Sequence, residues 1–461
     1  MSLWQAEKLA QISQGTLINS TNWQANSFSI DSRLIKHGNI FVAFKGKETD
    51  GHLYLEDAFS KGAVAAMVEY IPESNPHHYP LLLIGDNLQA LRTFAAYNRD
   101  RLDTTMIAIT GSAGKTSTKE MIKIAMSSQA NIFASYGNYN NLLGTTIGLS
   151  NVSLDMKFAI FELGMNHAGE MAELSSYVKP DISIITTVDA AHLEFFGSIE
   201  KIAEAKAEIF LHTNKNGFAF INNDSSSFTL LYEKAKGCGI KNIISFGTGQ
   251  SANCKLIEYA ENQDYSLIKA DILGSIITYK INSCGKHFAS NSLAVLGAVV
   301  ASGGDLEIAA HNLGNFSALP GRGAHHNVTR NGKHFLVIDD SYNANPLSIR
   351  AALNVLSNCR KLQGRKIAIL SDVYELGVDA PKLHQELAAD VINNDIDKVI
   401  AVGYNMQFLY DKLPSEKRLA SFTNVDEVIK VIDDYIEDGD MILIKGSFGT
   451  SVFKLVKELL S

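Results

Sequence analysis

Short apolar runs recur along this chain, each bounded by glycine or polar residues and each followed by a stretch with helical spacing. "NIFVAFKG", "AVAAMVEY", "TTMIAITG", "KFAIFELG", "DISIITTV" and "GFAFINND" are apolar on successive residues rather than on alternate ones. That pattern marks strands covered on both faces, as in a parallel sheet. "LYLEDAFSKG", "SIEKIAEAKAEIF" and "NSLAVLGAVVASGG" carry the wider period of helices. Residues 240 to 285 read as strands and turns, and the strand-then-helix rhythm resumes with "HFLVIDD", "RKIAILSD", "DKVIAVG" and "DMILIKGS". Strands alternating with helices predict an α/β protein with mostly parallel sheets.

The chain has 461 residues, and at about 150 residues per domain that length predicts three domains. Breaks at the Pro-rich "IPESNPHHYP" and at "LPGRG" divide the pattern into 1–85, 86–314 and 315–461. Hydrophobic residues make up 46% and charged residues 20%, an ordinary globular balance. A net charge of −8 argues against bulk nucleic-acid binding. Four cysteines stand far apart with no CxxC pair, which fits neither a disulfide scaffold nor a zinc site and suits a reducing compartment. No stretch approaches the roughly 20 apolar residues of a membrane span, and the amino terminus lacks a basic head followed by an apolar run. The expectation is a cytoplasmic protein without membrane insertion.

Candidate chemistry begins at "TGSAGKTS". Gly111 and Gly114 let backbone approach a phosphate immediately before a helix. The N–H groups from Gly111 through Ser112, Ala113 and Gly114 to Ser117 would then face oxygen, Lys115 would reach the outer phosphates, and the Thr116 hydroxyl would face Mg²⁺. The full phosphate-loop pattern places glycine at 109, where this chain has Ile109. A glycine turn with a chance Gly-Lys-Thr is the alternative. Glu162 ends an apolar strand, where a carboxylate could hold a hard cation or simply be solvated. His192 follows another strand, and a lone histidine is commonly a packing or surface residue. Lys201 and Lys206 on "SIEKIAEAKAEIF" read as solvated charges, and a lysine pointing into a metal cluster would persist only neutral or modified. Arg322 in "LPGRG" is a candidate for γ-phosphate charge. Asp340, Tyr342, Asn343 and Asn345 crowd a strand-to-helix turn, where capping chemistry alone would account for Asn345. Ser32, Arg33 and Lys45 could meet an anion.

Taken together, "TGSAGKTSTKE", "NYNN", "ELGMNHAGE", "AAHLEFFGS", "AKAEIF", "LPGR" and "DDSYNANP" occur in the order seen in the Mur ligases of peptidoglycan synthesis, and the chain resembles that family over nearly its whole length. The opening "DSR…GNIFVAFKG…DGH" looks like the family's UDP-sugar-binding domain. The resemblance implies a central phosphate-loop-type ATP-binding domain and a Rossmann-like carboxy-terminal domain. It also implies an ATP-dependent ligase that joins D-alanyl-D-alanine to a UDP-N-acetylmuramoyl-tripeptide through an acyl phosphate.

Carried over by position, residues 111 to 117, Asn291 (adenine), Arg322 (γ-phosphate) and Asp340 (ribose) would bind ATP. Thr116, Glu162, His192 and a carbamylated Lys206 would bind Mg²⁺. Ser32, Arg33 and Lys45 would hold the UDP moiety, while Asn140, Asn141, Tyr342, Asn343 and Asn345 would border the peptide substrate. A monomer is expected. The pattern departs where Phe448 stands for an arginine common in relatives and where "SDVYELG" replaces a usual GDMxELG. The runners-up are a sibling ligase adding one amino acid and, from another class, a nucleotide-dependent switch. A GTPase should carry an N/T-K-x-D motif, and the nearest stretch, "TNKNG", lacks the aspartate.

Overall fold

The computed structural model describes residues 4–46, 49–72, 78–262, 264–360 and 362–461. Part of the Pro-rich break at 71–80 therefore lies outside the described residues. The chain forms two compact units. The first comprises Met1–Ala108, Ala130–Gly164 and Ala172–Asp181, and the second Ile109–Gln129, Met165–Met171 and Ile182–Ser461.

In the first unit, a five-stranded sheet includes the predicted strands Asn39–Val42 and Ala65–Val68. Its pairings are parallel except for the antiparallel edge of Thr16–Ile18 against Leu81–Leu83. The uninterrupted apolar runs reflect burial of both faces. Ile40, Val42 and Met67 pack with Trp4, Phe28 and Phe94 in one core, while Phe41, Ala43 and Val68 pack with Leu55 and Ala58 in another. The same unit holds the parallel strands Ile132–Ala134 and Phe158–Glu162.

In the second unit, Ile182–Ile185, Phe218–Asn222, Asn242–Gly247 and Cys254–Glu261 pair in parallel in chain order. Ser266–Ile272 and Ser275–Ile281 then extend the ladder antiparallel. A separate six-stranded sheet uses the four strands foreseen after "LPGRG", together with Ala324–Arg330 and Arg418–Phe422. Only Ala324–Arg330 runs antiparallel, against Lys333–Asp340. Helices cover both faces of this sheet. Ile349, Leu353, Leu387 and Val391 fill one side and Val428, Ile432, Leu455 and Leu459 the other, which makes it doubly wound. Among the described residues no helix is long and apolar enough to cross a membrane.

Candidate active site

The strand Thr105–Thr110 feeds a turn that opens the helix Lys115–Met126. Gly111 has φ +152° and Gly114 φ +82°, regions that residues with a Cβ rarely occupy. Space demands glycine as well. A Cβ on Gly111 would lie 1.9 Å from Thr186 Oγ1, and one on Gly114 would lie 2.6 Å from Asn291 Nδ2.

Segment 186–189 braces the turn. The Thr186 hydroxyl donates to the carbonyls of Thr110 at 3.2 Å and Ala113 at 2.5 Å. The Ser112 N–H donates to Thr187 O at 2.9 Å, and Ser112 Oγ donates to Asp189 O at 3.0 Å. Gly114 takes the N-cap position with no side-chain cap hydrogen bond among the described residues. The first-turn N–H groups therefore converge on a spot suited to an anion. The Lys115 ammonium folds back onto Gly111 O at 2.7 Å, above that spot, and Thr116 and Ser117 are buried beside it. A cradle that a Cβ would fill, closed by a lysine at a helix N-terminus, fits a nucleotide phosphate.

Lys206 departs from its sequence expectation. The helix Ile199–Ala207, capped by Ser198, leaves Lys201 exposed and buries Lys206 to 2% exposure. Burial, helped by the nearby Lys115 charge, drives the Lys206 amine well below the ordinary lysine range. Helical spacing could have signalled this position, because Ile199, Ile202, Ala203 and Lys206 share one face and Lys201 does not. Burial therefore disfavours the charged form of this amine.

His192 adopts φ +63° at the start of the short helix Leu193–Phe196. Its Nδ1 lies 2.5 Å from Glu375 Oε2, and this contact holds the Glu375 carboxyl below its usual range. Glu375 was not foreseen, since nothing local in "SDVYELG" points to a partner so distant in sequence.

In the first unit, Glu162 is the last residue of Phe158–Glu162 and is 2% exposed. Its Oε1 accepts from Asn140 Nδ2 at 3.0 Å, and its N–H donates to Ser135 Oγ at 3.2 Å. Asn141 caps the helix Leu142–Asn151 by accepting from the Gly144 N–H. Ser32 is buried, Arg33 is exposed and paired with Asp31 at 2.7 Å, and Lys45 is exposed in a bridge to Asp50. Among the described residues no group of three or more His, Cys, Asp or Glu is arranged as a metal cage. Any cation would accordingly draw on ligands of mixed type and on its substrate, as Mg²⁺ commonly does.

The remaining candidates lie in the second unit. The Arg322 guanidinium sits 4.2 Å above the Tyr342 ring. Asp340 Oδ2 pairs at 2.7 Å with Lys445, a lysine only 1% exposed that also donates to Asn343 O at 3.0 Å. Burial pushes the Asp340 carboxyl up, and the Lys445 charge only partly offsets it. Lys445, unassigned in the sequence, closes the apolar run "DMILIK", and a lysine ending a strand buried on both faces was a readable signal. Asn345 caps the helix Pro346–Asn358 in a reciprocal capping box. Its Nδ2 also donates to Ser112 O in the glycine turn at 3.1 Å, so capping is not its whole task. Phe448 is exposed and stacks on Phe453 at 5.3 Å.

A glycine cradle at a helix N-terminus, a buried lysine and an arginine on an aromatic ring, carried by mostly parallel sheets, define an α/β nucleotide-binding protein equipped for phosphoryl chemistry. Comparison with known proteins narrows the class. Residues 109–299 match the family described as "Mur ligase middle domain", and 326–448 match "Mur ligase, glutamate ligase domain". The UDP-N-acetylmuramoyl-tripeptide--D-alanyl-D-alanine ligase of Rickettsia prowazekii is 38% identical, covering 98% of this chain and 99% of its own. The Bacillus subtilis protein of that name is 29% identical, covering 98% of each. A crystal structure of MurF from Acinetobacter baumannii superposes with a TM-score of 0.84 at 28% identity, covering 99% of this chain and 98% of the other. The chain belongs to the Mur ligase family, in its MurF branch.

Proposed function

We propose that this chain is a monomeric, cytoplasmic, ATP-dependent amide ligase that joins D-alanyl-D-alanine to a UDP-N-acetylmuramoyl-tripeptide, forming ADP and phosphate. The observation that carries the nucleotide part is the Gly111–Gly114 cradle with Lys115 folded over it. The substrates are those named for relatives that align along nearly the whole chain. On this reading residues 1–85 hold the UDP moiety through Ser32, Arg33 and Lys45, 86–314 bind ATP, and 315–461 supply Arg322 and Asp340.

In the first step, an oxygen of the tripeptide's terminal carboxylate bonds to the γ-phosphorus and the bond to ADP breaks. Lys115 exchanges Gly111 O for phosphate oxygen, the turn's N–H groups hold the β-phosphate, and Arg322 meets the charge spreading over the γ-phosphoryl group. In the second step, the dipeptide amine bonds to the acyl carbonyl carbon, loses a proton and expels phosphate. Exclusion of water guards the acyl phosphate between steps.

Burial disfavours the ammonium form of Lys206, and reaction of the free amine with CO₂ would give a carbamate and a proton. The lysine then presents oxygens instead of an ammonium. Thr116, His192 and the Lys206 carbamate are the proposed Mg²⁺ ligands of the second unit, and Glu162 takes the same role on its motif alone. When bound, Mg²⁺ neutralises phosphate charge and aligns the outer phosphates. Asn291 would face adenine and Asp340 the ribose. Asn140, Asn141, Tyr342, Asn343 and Asn345 would border the peptide.

Phosphate release from ATP and UDP-muramoyl-tripeptide, measured with D-alanyl-D-alanine and with single amino acids, tests the proposal. Stimulation by single amino acids alone would replace it with a sibling ligase. Lys206→Ala should lose most activity and regain part of it with acetate, whereas a fully active variant would remove the carbamate from the mechanism.

A further inference from the structure

We infer that Glu375 is a positioning residue: its carboxylate, delivered from the carboxy-terminal domain, fixes which nitrogen of His192 faces the metal and phosphate site. The inference rests on the metal-ligand role proposed above for His192.

His192 Nδ1 and Glu375 Oε2 are 2.5 Å apart. The contact is a close ion-pair approach rather than an aligned hydrogen bond, and a carboxylate beside Nδ1 favours the tautomer that carries its proton there and leaves Nε2 its lone pair. Metal-bound histidines commonly have such a partner on the other ring nitrogen, because it sets the tautomer, the ring orientation and the basicity of the ligating atom. Exposure of the two side chains, 26% for His192 and 42% for Glu375, leaves room for a ligand at the histidine.

The backbone around the pair is specialised in the same direction. His192 and Glu375 both lie at φ +63°, a left-handed conformation that strains a residue with a Cβ. Two such residues facing each other argue that the contact is built rather than incidental. A main-chain bond locks them together, with the Glu194 N–H donating to Glu375 O at 2.9 Å. Gly377 fits so closely that a Cβ there would meet Glu194 Cα at 3.2 Å.

The segment carrying Glu375 is rigidly held. The Val373 N–H donates to His384 Nε2 at 3.0 Å, the Tyr374 N–H to Ser447 Oγ at 2.9 Å and the Asp372 N–H to Val402 O at 3.1 Å. A firmly anchored carboxylate can impose an orientation where a mobile one could not. His192 lies in the stretch matched to the middle domain and Glu375 in the stretch matched to the glutamate ligase domain. The ring orientation of a middle-domain ligand is thereby made to depend on the carboxy-terminal domain, and separating the two would leave the imidazole rotatable.

The test uses the full chain with a non-hydrolysable ATP analogue and Mn²⁺ as probe, its binding followed by electron paramagnetic resonance. In parallel, nitrogen-15 imidazole spectra of the analogue-free protein report the His192 tautomer, assigned by its loss in His192→Ala. Glu375→Ala should weaken Mn²⁺ binding about 10- to 100-fold and mix the tautomers. Glu375→Gln, which keeps an oxygen beside Nδ1 without the charge, should keep part of the tautomer preference and part of the affinity. Unchanged Mn²⁺ affinity and tautomer in Glu375→Ala overturns the inference, even if that variant melts earlier or turns over more slowly. His192→Ala separates the two levels. If it weakens Mn²⁺ while Glu375→Ala does not, only the positioning role falls; if it leaves Mn²⁺ binding intact, the metal-ligand reading falls and takes the positioning role with it.

Discussion

Gly111→Ala tests the phosphate turn most directly, because the structure says where the added carbon goes. It would arrive 1.9 Å from Thr186 Oγ1 and 3.2 Å from both Thr186 Cβ and Thr187 N. The backbone cannot yield cheaply, since the Ser112 N–H is bonded to Thr187 O and Ser112 Oγ to Asp189 O. The threonine must therefore rotate, losing its donation to Thr110 O and Ala113 O. A hydroxyl donates one proton at a time, so the shared bond is worth about 1 kcal/mol, and leaving a buried carbonyl short adds about 1–3 kcal/mol. Holding alanine at φ +152° costs about 1–3 kcal/mol more. The sum is about 3–7 kcal/mol. At about 2–4 °C per kcal/mol for a domain of 150–250 residues, the transition containing the middle domain should fall by roughly 6–28 °C.

Thr186→Ala removes the obstructing oxygen. In Gly111→Ala with Thr186→Ala the hydroxyl's donation is lost once rather than twice and the backbone strain remains, so the pair should be less damaging than the sum of its singles by about 2–4 kcal/mol. Scanning calorimetry, resolving each transition because a multidomain chain need not melt as one, measures the stability. Titration with an ATP analogue measures the cradle. Gly111→Ala melting with the parent and binding nucleotide normally would refute the reasoning, as would a double variant whose loss equals the sum of its singles.

Lys445→Met should destabilise the carboxy-terminal sheet by about 2–3 kcal/mol, below the ~3–5 kcal/mol of a fully buried broken pair because Asp340 keeps 21% side-chain exposure; adding Asp340→Asn should recover much of the loss by calorimetry. His384 donates Nδ1–H to Ala380 O and accepts from Val373 N–H at Nε2, and burial lowers its proton affinity. Its folded value lies below the ordinary one of about 6.5, so its contribution is whole above that pH and is lost as pH falls beneath it. Urea midpoints at pH 7.5 and 5.5 should differ less in His384→Gln than in the parent. Cys254 is wholly buried, and burial pushes its thiol up to about 12, so iodoacetamide at pH 8 should label the partly exposed Cys238 and Cys284 before Cys254, which it should reach only on unfolding, as read by mass spectrometry.

What the sequence made legible was whatever burial writes locally. Strands such as Phe158–Glu162 and Met441–Lys445 are covered on both faces, so their runs were unmistakable. Ala324–Arg330, "AHHNVTR", is an edge strand with a mixed burial pattern and carried no such signal. The glycine turn was readable because the positive φ of Gly111 and Gly114 is a local backbone demand, although the space they leave is set by the distant Thr186 and Asn291. Lys206 was half readable: its helix face is written in the i, i+3, i+4 spacing, but its loss of charge depends on what packs over that face. Glu375 was unreadable, since its meaning comes from His192, which the fold brings within 2.5 Å. The division is physical. Hydrophobic burial and backbone conformation are averaged over neighbours in sequence and leave a periodic trace. A hydrogen bond between two polar side chains depends on one distance, which only the folded chain supplies. Residues that tune a site, rather than form its scaffold, are therefore the ones for which geometry adds most to the sequence.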